Sequence, residues 1–358
     1  MKGWRHGGNV WQVAAELGYL PEEIIDFSSS LNPLGPPEWV YSVIDRIKSK
    51  IIHYPDPFCS ELRDRIARSF GISQSEILPG NGTSELLYLL PRALNSSRAV
   101  IPVPSYVDYE YSARAAGLAV LNIPMQAHCG FRFPIEQLRT VLRPGDIVYI
   151  GRPNNPTGDL CDGKEIRSMA LDNTEVHFAV DQAFYDFVQD RDPLLKGRPK
   201  NVILFFSLTK ILAVPGIRIG WIVADPPLIE RLKQLQAPWS VNVLAQAIGE
   251  KAFDHREDIE QVIRTIAEAR MELFKMMKEL GVIRVFPSKV NYLLCEIHKD
   301  GMNASLLQDR LLREHKILIR RCDNFASLNE MFFRVCVRSA KDNLCLIEAL
   351  QQVLSSHP

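Results

Sequence analysis

A lysine that follows a buried strand is the residue in this sequence with the clearest capacity for covalent chemistry. The apolar run 202–206 leads into Ser207, and Lys210 comes three residues later. An ammonium group is costly to bury, and attachment to an aldehyde removes that cost because it leaves an imine whose protonation the pocket can tune. Taken alone, a lysine at a strand end is more often exposed than reactive. The residues around Lys210 therefore decide how it is interpreted.

Two further features could hold a phosphate group. Ser207 and Arg218 flank the lysine with a hydroxyl and a guanidinium, two group types that bind phosphate well. Upstream, Gly82-Thr83-Ser84 opens an amphipathic helical segment, where backbone amides and the helix dipole would face an anion. This segment does not match the dinucleotide-binding fingerprint Gly-x-Gly-x-x-Gly, because Glu85 stands at the position of the third glycine. By itself this segment is equally compatible with a simple helix cap.

Asp181 and Asn155 each follow an apolar run, 176–180 and 146–150 respectively. Polar side chains at the carboxyl ends of parallel strands meet at one edge of a sheet, where such folds bind their ligands. A carboxylate there can keep a pyridine nitrogen protonated, which is what makes pyridoxal phosphate (PLP) an electron sink. Asp181 could instead be a helix N-cap, and the segment around Asn155 has ordinary turn composition.

The elements that must position these residues follow from the apolar pattern. Short strand-like runs alternate with helical segments, which predicts a mostly parallel, doubly wound α/β sheet. The predicted strands are 98–103, 118–123, 146–150, 176–180, 202–206 and 219–223. Residues 36–50 and 60–70 are predicted helices, and the prolines between them place Tyr54 in a loop.

The C-terminal third has a different pattern. A long amphipathic stretch covers 243–280 and ends at Gly281. Beyond it, strands at 282–286, 291–297 and 331–337 with helices at 303–314 and 340–354 indicate a small α+β domain. We therefore predict an N-terminal segment (1–40) packed with the small domain, a large domain (41–245), a connecting helical region (246–280) and a small domain (281–358).

Composition narrows the class of partner. The 358 residues carry 42 basic and 42 acidic side chains. The chain therefore has no net positive charge that would attract nucleic acid or an anionic membrane. The N-terminal residues contain no apolar core of signal-peptide length, and no later run would span a bilayer. Seven scattered cysteines without a Cys-x-x-Cys pair favour reduced thiols in a cytoplasm and give no indication of a metal site.

Taken in order, the chemical residues resemble a known family. Asn155-Pro156-Thr157-Gly158, the strand-end Asp181, Ser207-x-x-Lys210 and Arg218 are similar to the fold-type I PLP enzymes of the aminotransferase fold. Within them the chain resembles the histidinol-phosphate aminotransferase group, and most of all the L-threonine-O-3-phosphate decarboxylases of cobalamin biosynthesis. The segments that carry this narrower resemblance are His6-Gly7-Gly8-Asn9, Asp26-Phe27-Ser28, Leu31-Asn32-Pro33-Leu34-Gly35, Pro238-Trp239-Ser240-Val241-Asn242, Ile317-Leu318-Ile319-Arg320, Phe333-Arg334-Val335 and Arg338-Ser339-Ala340.

The resemblance implies roles around the cofactor. Lys210 would carry PLP as a Schiff base, Tyr106 would stack on the pyridine ring, and Asn155 would reach the phenolic oxygen. Thr83, Ser84, Ser207 and Arg218 match the positions around the cofactor phosphate, next to Gly82. In a homodimer, Tyr54 would reach the cofactor phosphate of the neighbouring subunit.

The resemblance also implies a substrate end of the pocket. Arg334 matches the arginine that binds the substrate carboxylate, where Asn155 would also contact the substrate. His6, Gly7, Asn32 and Arg320 match positions near the rest of the substrate. Arg320 and His6 are suited to a phosphate. Other interpretations remain open: Arg334 could be an exposed charge on an edge strand, and His6 could belong to a frayed terminus.

One departure from the aminotransferase pattern bears on the reaction. Transaminases of this group generally place a tyrosine three residues after the strand-end aspartate, where this chain has Phe184, and Tyr185 is expected to point away. This fits PLP-dependent decarboxylation of O-phospho-L-threonine, or of O-phospho-L-serine, to the aminoalcohol phosphate that forms the cobalamin nucleotide-loop linker. The alternatives are a histidinol-phosphate or related aminotransferase using 2-oxoglutarate, and a non-catalytic regulator, which would need an added DNA-binding domain.

Overall fold

A computed structural model describes residues 6–189 and 191–355. Residues 1–5 and 356–358, which belong to the predicted N-terminal segment and small domain, lie outside the described residues, as does residue 190. The helices are α1 Val10–Leu17, α2 Glu38–Ile47, α3 Ser60–Phe70, α4 Gly82–Ala93, α5 Asp108–Ala115, α6 Ile135–Val141, α7 Gly163–Asp172, α8 Pro226–Leu235, α9 Val243–Ala252, α10 Arg256–Glu279, α11 Ala304–His315 and α12 Ala340–Ser355. The strands are β1 Ile25–Asp26, β2 Ile77–Asn81, β3 Arg98–Val103, β4 Ala119–Pro124, β5 Asp146–Gly151, β6 His177–Asp181, β7 Val202–Ser207, β8 Ile219–Val223, β9 Ile283–Val285, β10 Tyr292–Ile297, β11 Ile317–Leu318, β12 Arg320–Arg321 and β13 Phe332–Cys336.

The larger sheet has seven strands in the order β2-β8-β7-β6-β5-β3-β4. The five strands from β7 to β4 in this order are parallel, whereas β8 runs antiparallel to both β7 and β2. The predicted α/β class with a mostly parallel sheet is therefore confirmed. Strand β2 was not predicted from the sequence, because Pro79 and Gly80 interrupt its apolar run.

Helices cover both faces of this sheet. All six residues of β5 are buried, and its side chains alternate between two hydrophobic clusters. Tyr149 packs with residues of α4, α5 and α8, while Val148 packs with residues of α2, α3, α7 and α9. A strand buried on both faces explains why its sequence is continuously apolar rather than alternating.

A second, four-stranded antiparallel sheet has the order β12-β13-β10-β9. Its core includes Leu273 of α10, Leu311 of α11 and Leu350 of α12. The short strand β1 pairs in parallel with β11, so the N-terminal segment contacts the C-terminal part of the chain. The exact domain boundaries stay a prediction.

The predicted long helix over 243–280 is wrong in one respect, because it consists of two helices. α9 ends at Ala252 and α10 begins at Arg256. Between them, the Phe253 ring lies 6.3 Å from Phe70 and 6.0 Å from Trp221, centroid to centroid. Residues 36–50 are likewise not one α-helix, since a 3-10 helix, Lys48–Ile52, follows α2. No described helix is long and apolar enough to cross a membrane.

Candidate active site

Most of the predicted site residues line one cavity, which lies between the carboxyl ends of β6 and β7, the start of α4 and strands β12 and β13. The predicted residues that line it are His6, Gly7, Thr83, Ser84, Tyr106, Asn155, Asp181, Ser207, Lys210, Arg218, Arg320 and Arg334. These positions span more than 300 residues of chain. The fold therefore brings together groups whose proximity the sequence alone does not show.

Lys210 lies just beyond the end of β7. Burial, helped by the nearby cations Arg334 and Arg218, lowers the pKa of its amine to about 8, against the opposing effect of Asp181. An amine with this pKa is substantially neutral at mildly alkaline pH, which is the form that attacks an aldehyde. The backbone carbonyl of Lys210 accepts a 3.0 Å hydrogen bond from the amide of Asn32.

Asp181 is the last residue of β6, and both of its carboxylate oxygens have partners. Oδ1 accepts from the amide of Ala183 at 2.9 Å, and Oδ2 accepts from the Tyr109 hydroxyl at 2.8 Å. Burial raises the pKa of this carboxyl, whereas the two hydrogen bonds and the charge of Lys210 lower it. A protonated ring nitrogen placed against Asp181 would further favour the carboxylate.

The candidate phosphate cradle combines a helix N-terminus with β7 and β8. Thr83 and Ser84 lie in the first turn of α4, the Ser207 hydroxyl accepts from the amide of Thr209 at 3.2 Å, and Arg218 approaches from the segment before β8. Gly82 does not line the cavity itself. It has a φ of +71°, and a Cβ at this position would collide with Nη2 of Arg218. Glycine is therefore required for the guanidinium to approach the helix N-terminus.

Two arginines of neighbouring strands also line the cavity. Arg320 and Arg334 are register partners in the β12–β13 pair. The Arg334 Nη1 atom donates to Oδ1 of Asn155 at 2.5 Å and its Nη2 atom donates to the carbonyl of Ser28 at 3.0 Å. Arg334 is therefore a buried, oriented guanidinium and not an exposed edge-strand charge.

Arg320 is also buried, with 8% of its surface exposed. Its Nη2 atom donates to Oδ1 of Asn324 at 2.7 Å, and its guanidinium carbon lies 5.2 Å from the Phe325 ring centroid. Burial lowers the pKa of this guanidinium to about 10, so it stays cationic at neutral pH. Two cations side by side suit a ligand with two separate anionic groups.

His6 reaches the same cavity from the N-terminal segment. Its Nε2 atom lies 3.5 Å from Oδ1 of Asp108, and its ring centroid lies 5.7 Å from that of Tyr106. The Tyr106 hydroxyl donates to Oδ2 of Asp108 at 2.9 Å. Burial and the neighbouring carboxylate raise the pKa of Tyr106, so this hydroxyl remains a donor.

The structure gives two of the predicted residues other surroundings. Asn32 does not line the cavity. Its side-chain nitrogen Nδ2 donates to the carbonyl of Ile211 at 3.0 Å, and its side-chain oxygen accepts from the backbone amide of Leu34 at 3.0 Å. These bonds hold the backbone around Lys210, and the substrate contact of Asn32 stays a prediction. Tyr54 is 79% exposed and stacks on Trp239 with centroids 4.5 Å apart, outside the cavity of its own chain.

Four residues at or beside the cavity had no assigned role in the sequence, namely Ser28, Asp108, Tyr109 and Phe325. Ser28 belongs to one of the segments that carry the family resemblance, but no role was assigned to it there, and Phe325 lies in a segment without a recognisable chemical pattern. Tyr109 and Asp108 belong to α5, where an aromatic residue fits an ordinary buried helix face and an aspartate fits an ordinary first turn. The one feature in the sequence that could have indicated them is their position just after Tyr106. Such a short separation along the chain cannot be interpreted without a structure.

Phe184 and Tyr185 are oriented as the sequence predicted. Phe184 lines the cavity, with the Lys210 Nζ atom 5.9 Å from its ring centroid. The Tyr185 hydroxyl points elsewhere and donates to the carbonyl of Asp192 at 2.6 Å. The cavity wall next to the lysine is therefore a phenyl ring, without a phenolic hydroxyl at this position.

Comparison with known proteins identifies relatives that are similar to this chain over most of its length. The sequence profile of the family "Aminotransferase class I and II" matches residues 22–350. The chain is 33% identical over 352 residues to the "Adenosylcobalamin biosynthesis bifunctional protein CobDQ" of Leptospira interrogans, covering 97% of this chain and 41% of that longer protein. It is 32% identical over 357 residues to the "Threonine-phosphate decarboxylase" of Salmonella typhimurium, covering 98% of this chain and 96% of the relative.

Solved structures of two activities share the fold. The histidinol-phosphate aminotransferase from Clostridium acetobutylicum has a TM-score of 0.85 at 28% identity, covering 91% of this chain and 98% of that one. The L-threonine-O-3-phosphate decarboxylase from Porphyromonas gingivalis has a TM-score of 0.83 at 26% identity, covering 92% and 99%. The chain is therefore similar in structure to a named histidinol-phosphate aminotransferase and to a named threonine-phosphate decarboxylase.

Proposed function

Because the chain belongs to the family of class I and II aminotransferases, whose cofactor is PLP, we propose that this PLP-dependent enzyme decarboxylates O-phospho-L-threonine. The observation that carries the proposal is the pair of buried guanidiniums, Arg320 and Arg334, at register positions of one strand pair. A substrate with a carboxylate and a phosphate matches this pair, whereas histidinol phosphate has no carboxylate of its own. The Salmonella and Leptospira relatives support the same interpretation.

The residues present fit the cofactor. Lys210 would carry it covalently, Thr83, Ser84, Ser207 and Arg218 would hold its phosphate, and Asp181 would pair with its ring nitrogen. The hydrogen-bonded Asp181 and the glycine that makes room for Arg218 are the observations that support this fit. Asn155 and Tyr106 line the same space, where we propose contacts with the ring oxygen and the ring face. When bound, PLP supplies an electron sink for a bond broken at the Cα of an amino acid.

The remaining side chains determine which bond at Cα breaks. The bond that breaks is the one aligned perpendicular to the cofactor ring, so orientation of the substrate selects the reaction. Arg334 with Asn155 holds the carboxylate, and Arg320 with His6 holds the phosphate. Binding energy from the phosphate, remote from Cα, is thereby used to orient the carboxylate. The Lys210 amine can then deliver the proton that replaces the carboxylate at Cα.

Phe184 favours decarboxylation over transamination. A tyrosine hydroxyl at this position would donate a hydrogen bond into the cofactor site, whereas the phenyl ring of Phe184 offers no donor. The rival proposal is a histidinol-phosphate aminotransferase, in which Lys210 would remove the Cα proton and Arg334 would bind the 2-oxoglutarate carboxylate. The structural neighbour from Clostridium keeps this alternative open to test.

Further parts of the proposal concern assembly and context. The exposed, stacked pair Tyr54 and Trp239 supports a homodimer in which Tyr54 completes the partner's site. The name of the Leptospira relative supports a place in adenosylcobalamin synthesis. All seven cysteines are unpaired thiols, which is compatible with a cytoplasmic enzyme.

A substrate panel tests the proposal. The purified holoenzyme is incubated with O-phospho-L-threonine, O-phospho-L-serine, L-threonine or histidinol phosphate, each with and without 2-oxoglutarate, and the products are identified by mass spectrometry. We expect turnover of phosphothreonine without 2-oxoglutarate and little turnover of threonine. Turnover of histidinol phosphate that depends on 2-oxoglutarate would favour the aminotransferase.

A further inference from the structure

Asp108 is a buried carboxylate beside the candidate active site to which the proposed chemistry gives no role. It is the first residue of α5 and only 7% of its surface is exposed. A carboxylate this deeply buried is costly unless its oxygens have partners. Here each oxygen has one: Oδ2 accepts the Tyr106 hydroxyl at 2.9 Å, and Oδ1 lies 3.5 Å from Nε2 of His6.

These two partners serve different parts of the site. Tyr106 lines the cavity beside the cofactor residues Ser84 and Asp181, and His6 lines it together with Arg320. The helix dipole at the start of α5 also stabilises a negative charge on Asp108. Asp108 is therefore a side chain, fixed on a helix, that contacts one residue of the cofactor end and one residue of the phosphate end.

His6 needs such an anchor because its own segment provides little rigidity. Residues 6–9 precede α1 and have no helix or strand structure. The segment is otherwise attached through Ser28, whose hydroxyl accepts from the amide of Gly8 at 2.8 Å. That bond fixes the backbone of the segment, whereas the Asp108 carboxylate lies next to the imidazole ring itself. The Asp108 carboxylate, 3.5 Å from Nε2, sets the direction of the ring.

We propose that Asp108 is a positioning residue for substrate recognition: it holds the His6 imidazole at the phosphate end of the cavity while it fixes the Tyr106 hydroxyl. This inference rests on the proposed function, because it requires a substrate that carries a phosphate. Asp108 itself contacts neither the carboxylate subsite at Arg334 nor Lys210. Its loss therefore affects affinity for the phosphate more than the rate of bond breaking.

The test compares Asp108→Asn with wild type in the holoenzyme. The amide keeps the shape of the side chain and an acceptor for Tyr106, but removes the charge next to His6. We expect KM for phosphothreonine to rise about tenfold, the scale of losing one partly buried charge pair, while kcat changes by less than about threefold. Glu110→Gln is the matched control, since Glu110 lies on the same helix, pairs with Arg114 at 2.7 Å and does not line the cavity. This control should leave both constants unchanged.

A double-mutant cycle separates positioning of His6 from general damage to α5. Asp108→Asn should have little effect on KM when His6 is already alanine, because its target is gone. If the two substitutions weaken binding independently, or if Asp108→Asn alone leaves KM unchanged, the inference is wrong.

Binding of propyl phosphate to the holoenzyme, measured by calorimetry, distinguishes this failure from failure of the proposed function. Propyl phosphate has no amine or carboxylate and therefore reports the phosphate end alone. Wild type should bind it about tenfold more tightly than Asp108→Asn does. Equal binding to both proteins overturns the role of Asp108, whereas no binding to wild type overturns the proposed phosphate-bearing substrate, and the role of Asp108 with it.

Discussion

The Tyr109 hydroxyl donates a 2.8 Å hydrogen bond to Oδ2 of Asp181. Tyr109 is 2% exposed, and its ring stacks on Tyr149 with centroids 5.5 Å apart and planes inclined by 11°. The carboxylate that would face the cofactor ring nitrogen is thus held by a donor that cannot rotate away. Since burial alone raises the pKa of Asp181, this donor helps to keep the carboxylate ionised.

Tyr109→Phe should lower kcat without releasing the cofactor. Loss of the donor raises the pKa of Asp181 further, so the ring nitrogen loses part of its charge partner. We expect kcat to fall about tenfold or more, because a hydrogen bond to a charged group is worth about 1.5–3 kcal/mol. Tyr149→Phe is the control, as the Tyr149 hydroxyl makes no hydrogen bond to Asp181. Equal kcat values for Tyr109→Phe and wild type would show that this bond is only structural.

The pKa of Lys210 predicts how the apoprotein takes up PLP. Burial, Arg334 and Arg218 lower this pKa from 10.5 to about 8, so half of the amine is neutral near pH 8. The rate of covalent attachment, followed by visible absorbance and borohydride trapping, should rise with pH through about 8 and then level off. Arg334→Gln removes one cation, which raises the pKa and should move the midpoint up by roughly one pH unit. A wild-type midpoint near pH 10 would contradict the buried, cation-flanked position of this amine.

Gly82→Ala should weaken PLP binding although Gly82 does not line the cavity. Its positive φ disfavours alanine, and the new Cβ would collide with Nη2 of Arg218. We expect the dissociation constant of PLP, measured by fluorescence titration of the apoprotein, to rise at least about tenfold, with loss of one charge-assisted hydrogen bond. Gly216→Ala is the control: Gly216 is near Arg218 in the chain, and a Cβ there has nothing within 4 Å. Similar effects of the two substitutions would remove the steric explanation.

Much of the fold could be predicted from the sequence, because the apolar runs of β3, β5, β7 and β8 are short, continuous and bounded by turn residues. The direction of β8 could not, since a buried strand has the same composition in either orientation. The break between α9 and α10 was missed because residues 253–255 contain neither proline nor glycine. At this break the Phe253 ring packs on Phe70 and Trp221, contacts that only the tertiary structure reveals.

The candidate site was predictable where several residues form a motif and not where a single residue acts. Lys210, Asp181 and Asn155 belong to patterns with a characteristic spacing. Tyr109 has no such context, and its contact with Asp181 joins positions 72 residues apart. Asn32 shows the opposite case. It belongs to a recognisable segment, but its side chain forms hydrogen bonds with the backbone of Ile211 and Leu34.

Arg320 and Arg218 should respond differently to truncation because they are assigned to different phosphates. Arg320→Ala should raise KM for phosphothreonine by roughly tenfold to a hundredfold, with little effect on PLP affinity. Arg218→Ala should do the reverse. Steady-state kinetics at saturating PLP and cofactor titration of the apoprotein measure the two effects separately. If both variants lose cofactor affinity only, the substrate phosphate must bind elsewhere.

The most direct test of the proposed reaction follows the carboxyl carbon. O-Phospho-L-threonine labelled with ¹³C at the carboxylate is incubated with the holoenzyme alone, and labelled carbon dioxide, aminopropanol phosphate and remaining substrate are quantified together. We predict one carbon dioxide and one aminopropanol phosphate for each substrate consumed over many turnovers, without any 2-oxo acid and with the cofactor spectrum unchanged. Retention of the label in the organic product, with turnover that requires 2-oxoglutarate and produces glutamate in equal amount, would contradict decarboxylation and identify the protein as an aminotransferase.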